Sequence, residues 1–120
     1  MKYTTPVELQ QAIDEIFTLP QDLFLLDRPD FDKFFPTLER VKGFRISGES
    51  VSDISKSLQE EIPAGFHPAK RFDFYVSRDI IMQELADLDD VLGQPEKWKR
   101  QVIIADLPYG RITVYVFYEV

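Results

Sequence analysis

Trp98-Lys99-Arg100-Gln101-Val102-Ile103-Ile104-Ala105-Asp106-Leu107, followed by Pro108-Tyr109-Gly110 and then Arg111-Ile112-Thr113-Val114-Tyr115-Val116-Phe117-Tyr118-Glu119-Val120, is the stretch whose reading decides the fold. Both runs are rich in β-branched and aromatic residues and long enough for strands. Pro108 presets φ just after Leu107, and Gly110 accepts positive φ. Together they predict a three-residue hairpin connection. With Leu107 facing Arg111, Ile104 opposes Val114, Val102 opposes Val116 and Trp98 opposes Val120. Lys99 then faces Glu119 as an opposite-charge pair.

In that register Trp98, Val102, Ile104, Ile112, Val114, Val116 and Val120 share one face. Ile103, Ala105, Tyr115 and Phe117 lie on the other among polar residues, so that face is expected to be half covered. A lone hairpin is marginal in water, so the rest of the chain must cover the apolar face. The final run is also a candidate edge, at which a second copy would pair to give a homodimer through the C-terminal strand.

Upstream, Thr5-Pro6-Val7-Glu8 reads as a helix entrance with a capping box. Leu9, Ala12, Ile13, Ile16 and Phe17 then fall on one face, and Pro20 closes the helix. The apolar run Leu23-Phe24-Leu25-Leu26 suits a buried strand or a helical turn. Asp27-Arg28-Pro29-Asp30-Phe31-Asp32 reads as a polar loop; its carboxylates lack the EF-hand spacing, and no metal site is assigned. Phe31, Phe34, Phe35, Leu38 and Val41 recur at helical spacing as core residues, with a helix starting at or just before Pro36 and ending at Gly43. Phe44-Arg45-Ile46 is a short strand. Ser50 or Ser52 caps a helix whose inner face is Val51, Ile54, Ser55, Leu58 and Ile62.

Pro63 to Ala69 is a loop dense in turn formers. Phe72, Phe74 and Val76 form one side of a strand, and Ser77 is expected to cap a helix running to Leu92, stopped by Gly93. The fold class is therefore α+β: an antiparallel sheet ending in a C-terminal β-hairpin, with three to four helices packed mainly on one face, in a single domain over 1–120. A helix over 77–92 between two strands also permits one parallel pair through a crossover.

Composition narrows the function classes. The 120 residues include no cysteine, which excludes disulfides and thiolate metal sites. A formal net charge of −7 argues against direct nucleic-acid binding and suits a basic protein partner. Neither a leader-like pattern nor an apolar run of membrane-spanning length is visible, so a cytoplasmic protein without a membrane role is expected.

The end of the 77–92 helix breaks a rule. Asp87, Asp89 and Asp90 lie where the helix dipole favours cations. Either Lys97, Lys99 and Arg100 compensate them, or they form a binding surface with Glu84 and Glu96. Tyr115 and Phe117 are candidate aromatic anchors for the same partner. The leading functional expectation is a small acidic binding protein for a basic macromolecule, such as an inhibitor or immunity-type protein of a toxin or nuclease, and not an enzyme.

A second expectation is a small enzyme or anionic-ligand binder at the 63–71 loop. It would use His67, the only histidine, as a general acid or base, with Lys70, Arg71 and Tyr75 as further contacts and Tyr118 assisting. The third is a homo-oligomeric assembly module. Nucleotide-binding glycine motifs, HExxH, a nucleophile elbow and internal repeats are all missing from the sequence, and no cofactor is assigned.

Overall fold

The computed structural model describes residues 2–18, 28–77, 79–104 and 111–120. Along these the chain forms β1 (Lys2–Tyr3), α1 (Pro6–Thr18), α2 (Arg28–Phe34), β2 (Val41–Gly48), α3 (Val51–Glu61), β3 (Lys70–Val76), α4 (Met82–Leu92), β4 (Trp98–Ile104) and β5 (Ile112–Glu119). The fold is α+β, and the strands make one mostly antiparallel sheet in the order β1-β2-β5-β3-β4.

The helix starts follow local chemistry. At α1, Glu8 Oε1 accepts from the Thr5 amide at 3.2 Å, while the Glu8 amide donates to Thr5 Oγ1 at 3.2 Å; this is the reciprocal box read from the sequence. At α3, Ser50 is extended and its hydroxyl accepts from the Asp53 amide. Ser77 does not cap α4. Its hydroxyl engages Asp79, and the helix begins at Met82, where Glu84 reaches back to the Ile81 amide at 3.1 Å. The segment read as a polar loop around Asp30 is helical, with Pro29 in the first turn of α2. That helix ends before Pro36, and Val41 opens β2 instead of continuing a helix. The run 23–26 and the turn 108–110 lie outside the described residues.

The two final strands are not hairpin partners. β3 lies between them, parallel to β4 and antiparallel to β5. Trp98 pairs with Lys70 and not with Val120, while Val116, read as the partner of Val102, pairs with Asp73 and Phe44. The physical reason is burial. From Ile112 to Tyr118 every residue of β5 is buried, so β5 needs neighbours on both edges and cover on both faces. Trp98-Lys99-Arg100-Gln101 opens β4 with the polar character of an edge. α4 supplies the crossover that a parallel β3–β4 pair requires. Because β5 is bonded to β2 and β3 along its length, it offers no free edge for a second copy.

The helices also divide between the two faces and are not gathered on one. α1 and α2 cover Phe72, Phe74, Val76, Tyr115 and Phe117. Phe31 is the hub there, with ring centroids 5.4 Å from Phe35 and Phe72 and 5.6 Å from Phe117. α3 and α4 cover Phe44, Ile46, Tyr75, Ile112, Val114, Val116 and Tyr118. The valines of β5 do turn inward together, as the alternation requires, but the opposite face is equally dry. Among the described residues no helix is long and apolar enough to cross a membrane.

Gly43 faces Phe117 across the β2–β5 ladder. A Cβ at that position would sit 2.9 Å from Phe117 Cδ1 and 3.1 Å from the Val116 carbonyl oxygen. Gly43→Ala is therefore expected to destabilise the protein by roughly 1–3 kcal/mol in urea denaturation. An unchanged midpoint would contradict this register.

Candidate functional site

Two features stand at one end of the sheet, where β3 and β4 begin and β5 ends. The first is a polar network under α4. The alternation of β3 puts Arg71, Asp73 and Tyr75 on the α4 face, and all three are fully buried. Arg71 Nε donates to both oxygens of Asp73, at 3.0 and 3.1 Å. Its Nη2 donates to Asp89 Oδ1 at 2.6 Å, and its Nη1 to the Gly93 carbonyl. Lys99 Nζ donates to Asp89 Oδ2 at 2.8 Å, and Gln101 Nε2 to Asp89 Oδ1 at 3.0 Å.

The network explains the misplaced acid. Arg71 and Lys99 stand at the C-terminal end of α4, where the dipole favours positive charge, and Asp89 bridges them. Two cations, buried Arg71 and exposed Lys99, thus meet two carboxyl groups, buried Asp73 and half-buried Asp89. Arg71 belongs to this lattice and not to a ligand site. Its partner Asp73 is not evident when β3 is read by its apolar side alone. The legible signal was an Arg-x-Asp alternation inside a strand followed by an aspartate at a helix end.

Burial pushes the Asp73 carboxyl up to about 7, against the opposing pull of Arg71. The Tyr75 hydroxyl is also pushed up, first by burial and then by the charge of Asp73.

The acids nominated from sequence separate into two groups. Glu84 accepts from Arg111 through both oxygens, at 2.9 and 3.0 Å. Those bonds, with the Ile81 amide, hold its pKa below the usual carboxylate range. Glu84 and Asp89 are thus occupied internally. Asp87, Asp90 and Glu96 are exposed, and none of them forms an ion pair among the described residues. Asp87 accepts from Gln83, at 2.9 Å.

Tyr115 and Phe117 are fully buried under α1 and α2 and cannot serve as exposed anchors. They belong to a central strand, and the Tyr115 hydroxyl donates to Glu15 at 2.9 Å. Exposed apolar side chains are found instead at Ile81, Met82 and Trp98.

The second feature is a cleft of about 400 Å³ formed by residues 63–69 with Glu96, Tyr118 and Val120. His67 lines it and is exposed. The other cations expected there are elsewhere. Lys70 Nζ donates to the Phe34 carbonyl at 3.0 Å, on α2, and Arg71 lies in the buried network. Tyr75 does not line the cleft either. The proposed anion-binding set of His67, Lys70, Arg71 and Tyr75 is therefore not brought together. Among the described residues no three metal-ligating side chains converge. Neither protein-family models nor curated proteins show a match to this chain.

The pH dependence of stability should carry the signature of Asp73. Its native pKa lies above that of an unfolded aspartate, so the native state holds the proton more tightly. From this group, stability is greatest below about pH 4 and falls as pH rises through about 7. Glu84 acts with the opposite sign: its contribution is present above the ordinary carboxylate pKa and lost as pH falls through the lowered one. The unfolding free energy from urea titrations is expected to decline between pH 4 and 7, with a slope of up to about 1.4 kcal/mol per pH unit. Asp73→Asn should flatten that decline, and an identical slope in the variant would contradict the assignment.

Proposed function

We propose that this protein is a small acidic binding protein that recognises a basic macromolecular partner through the outer face of α4. The observation that carries this reading is the exposure of Asp87 and Asp90 with no cation on either among the described residues, beside acids that the fold has already neutralised. Met82, Gln83, Ala86, Asp87 and Asp90 are all exposed and recur at helical spacing, so they form one solvent stripe. Met82, 79% exposed, gives that stripe an apolar contact near its start, and the aspartates give it charge near its end. Glu96 extends the charge past the helix.

A net charge of −7 adds long-range attraction for a positively charged partner and speeds encounter. Two carboxylates in the last turns of a helix oppose its dipole, and a cationic partner relieves that opposition. In this reading the protein is cytoplasmic, and inhibition of a basic nuclease or toxin, in the manner of an immunity protein, is the role such chemistry suits. The partner is a protein, not nucleic acid, since phosphates would be repelled.

Affinity capture from the native lysate tests the reading, with the wild type run beside an Asp87→Lys/Asp90→Lys variant. The wild type is expected to retain a basic protein that the variant loses. Its association rate should fall about tenfold between low and physiological salt. Equal retention by the charge-reversed variant would contradict the assignment of α4.

A further inference from the structure

The cleft at the 63–69 loop carries the opposite charge from the one its sequence neighbours suggest. Lys70 and Arg71 follow the loop directly, yet both side chains leave it. Glu96 is the only formally charged side chain among the described residues that line it. Its placement is fixed by the backbone: the Glu96 amide donates to the Pro68 carbonyl at 2.7 Å, and the Lys97 amide to that of Ala69 at 2.8 Å. The Ala69 amide in turn donates to the Glu119 carbonyl, which ties the loop to β5.

Tyr118 supplies a second, independent observation. The residue is only 9% exposed, and its hydroxyl makes no hydrogen bond among the described residues. The residue lines the cleft, so its hydroxyl is presented to whatever occupies that space and not to another protein group. Burial pushes its pKa up, so at neutral pH it stays protonated, with oxygen lone pairs available. Tyr118 and Phe66 form an edge-to-face pair, with centroids 4.9 Å apart, along the cleft. Pro63, Ala64, Pro68 and Ala69 complete an apolar lining.

We propose that this cleft is the anchor pocket for one arginine or lysine side chain of the basic partner. The aliphatic stem would lie against the prolines and aromatic rings, and the cationic head would meet the Glu96 carboxylate and the Tyr118 oxygen. A volume of about 400 Å³ suits one such side chain, and aromatic rings beside a carboxylate favour a cation on an apolar stem. The proposal rests on the reading of a basic partner but uses different residues from the α4 stripe.

The test is an amide-resolved NMR titration of the full chain with the tripeptide amide acetyl-Gly-Arg-Gly. Agmatine serves as the small-molecule cation, and acetyl-Gly-Gln-Gly amide as the neutral control. The arginine peptide is expected to give saturable shifts at Gly65, Phe66, His67, Ala69, Glu96 and Tyr118, and the glutamine peptide none. Glu96→Gln should weaken the arginine peptide roughly tenfold, and the conservative Tyr118→Phe roughly threefold.

Absence of saturable shifts at these amides would overturn the proposal. So would equal binding of the neutral peptide, or tighter binding of agmatine than of the arginine peptide, which would mark a site for a free amine. The two readings fail separately. A captured basic protein that binds Glu96→Gln and Tyr118→Phe as tightly as wild type removes the anchor pocket and leaves the α4 surface standing. A partner insensitive to Asp87→Lys/Asp90→Lys but lost on Glu96→Gln does the reverse.

Discussion

A fully buried arginine must find its counter-charges inside the protein, and much of this structure follows from where Arg71 finds them. A guanidinium cannot shed its proton, so its desolvation has to be offset by carboxylates and carbonyls in good geometry. Asp73, two residues along the same strand, provides one carboxylate; Asp89 and the Gly93 carbonyl, at the end of α4, provide the others. The interaction therefore fastens the C-terminal end of α4 to the start of β3. Lys99 and Gln101 fasten β4 to the same aspartate. Helix, central strand and edge strand are held at one charged knot within an otherwise apolar face.

That knot sets what the surface displays. Asp89 faces inward, and the neighbouring Asp87 and Asp90 consequently face out. Glu96 follows α4 by four residues and is drawn against the 63–69 loop, so the exposed acids and the cleft lie at the same end of the molecule. At the other end of the helix, Arg111 neutralises Glu84 and Asp79. The negative charge is thus not a uniform coat. It is neutralised where the fold needs it and left open at exposed acids, among them Asp87 and Asp90 on the last turns of α4 and Glu96 at the cleft rim.

Much of the architecture was legible from residue order. The capping box at Thr5 and Glu8, the Ser50 cap and the Gly93 stop rest on local hydrogen bonds between residues a few positions apart, and such contacts are written in the sequence. The inward set Ile112, Val114 and Val116 follows from alternation alone. The hairpin did not survive because strand adjacency is a tertiary choice. A Pro-x-Gly connection permits a tight turn but does not compel pairing. β3, buried from Arg71 to Val76, takes that edge of β5 instead.

The candidate anchors Tyr115 and Phe117 failed for the same reason: a strand counted as half solvated was central. The aspartates at the helix end did signal something unusual. Sequence spacing pointed to Lys99 as a compensating cation, which it is; the Arg71-x-Asp73 alternation hinted at a buried ion pair, but spacing alone did not join Arg71 to Asp89 across 18 positions.

The claim on which the account turns is that β3 lies between β4 and β5. Interstrand proton contacts measured by NOESY on the labelled protein test it most directly. Contacts are expected between the backbones of Arg71 and Lys99 and of Asp73 and Gln101 on one side, and between those of Asp73 and Val116 and of Tyr75 and Val114 on the other. Direct backbone contacts between Val102 and Val116 and between Ile104 and Val114 would instead establish the hairpin, and with it the loss of the Arg71 knot, the cleft and the acidic end as described.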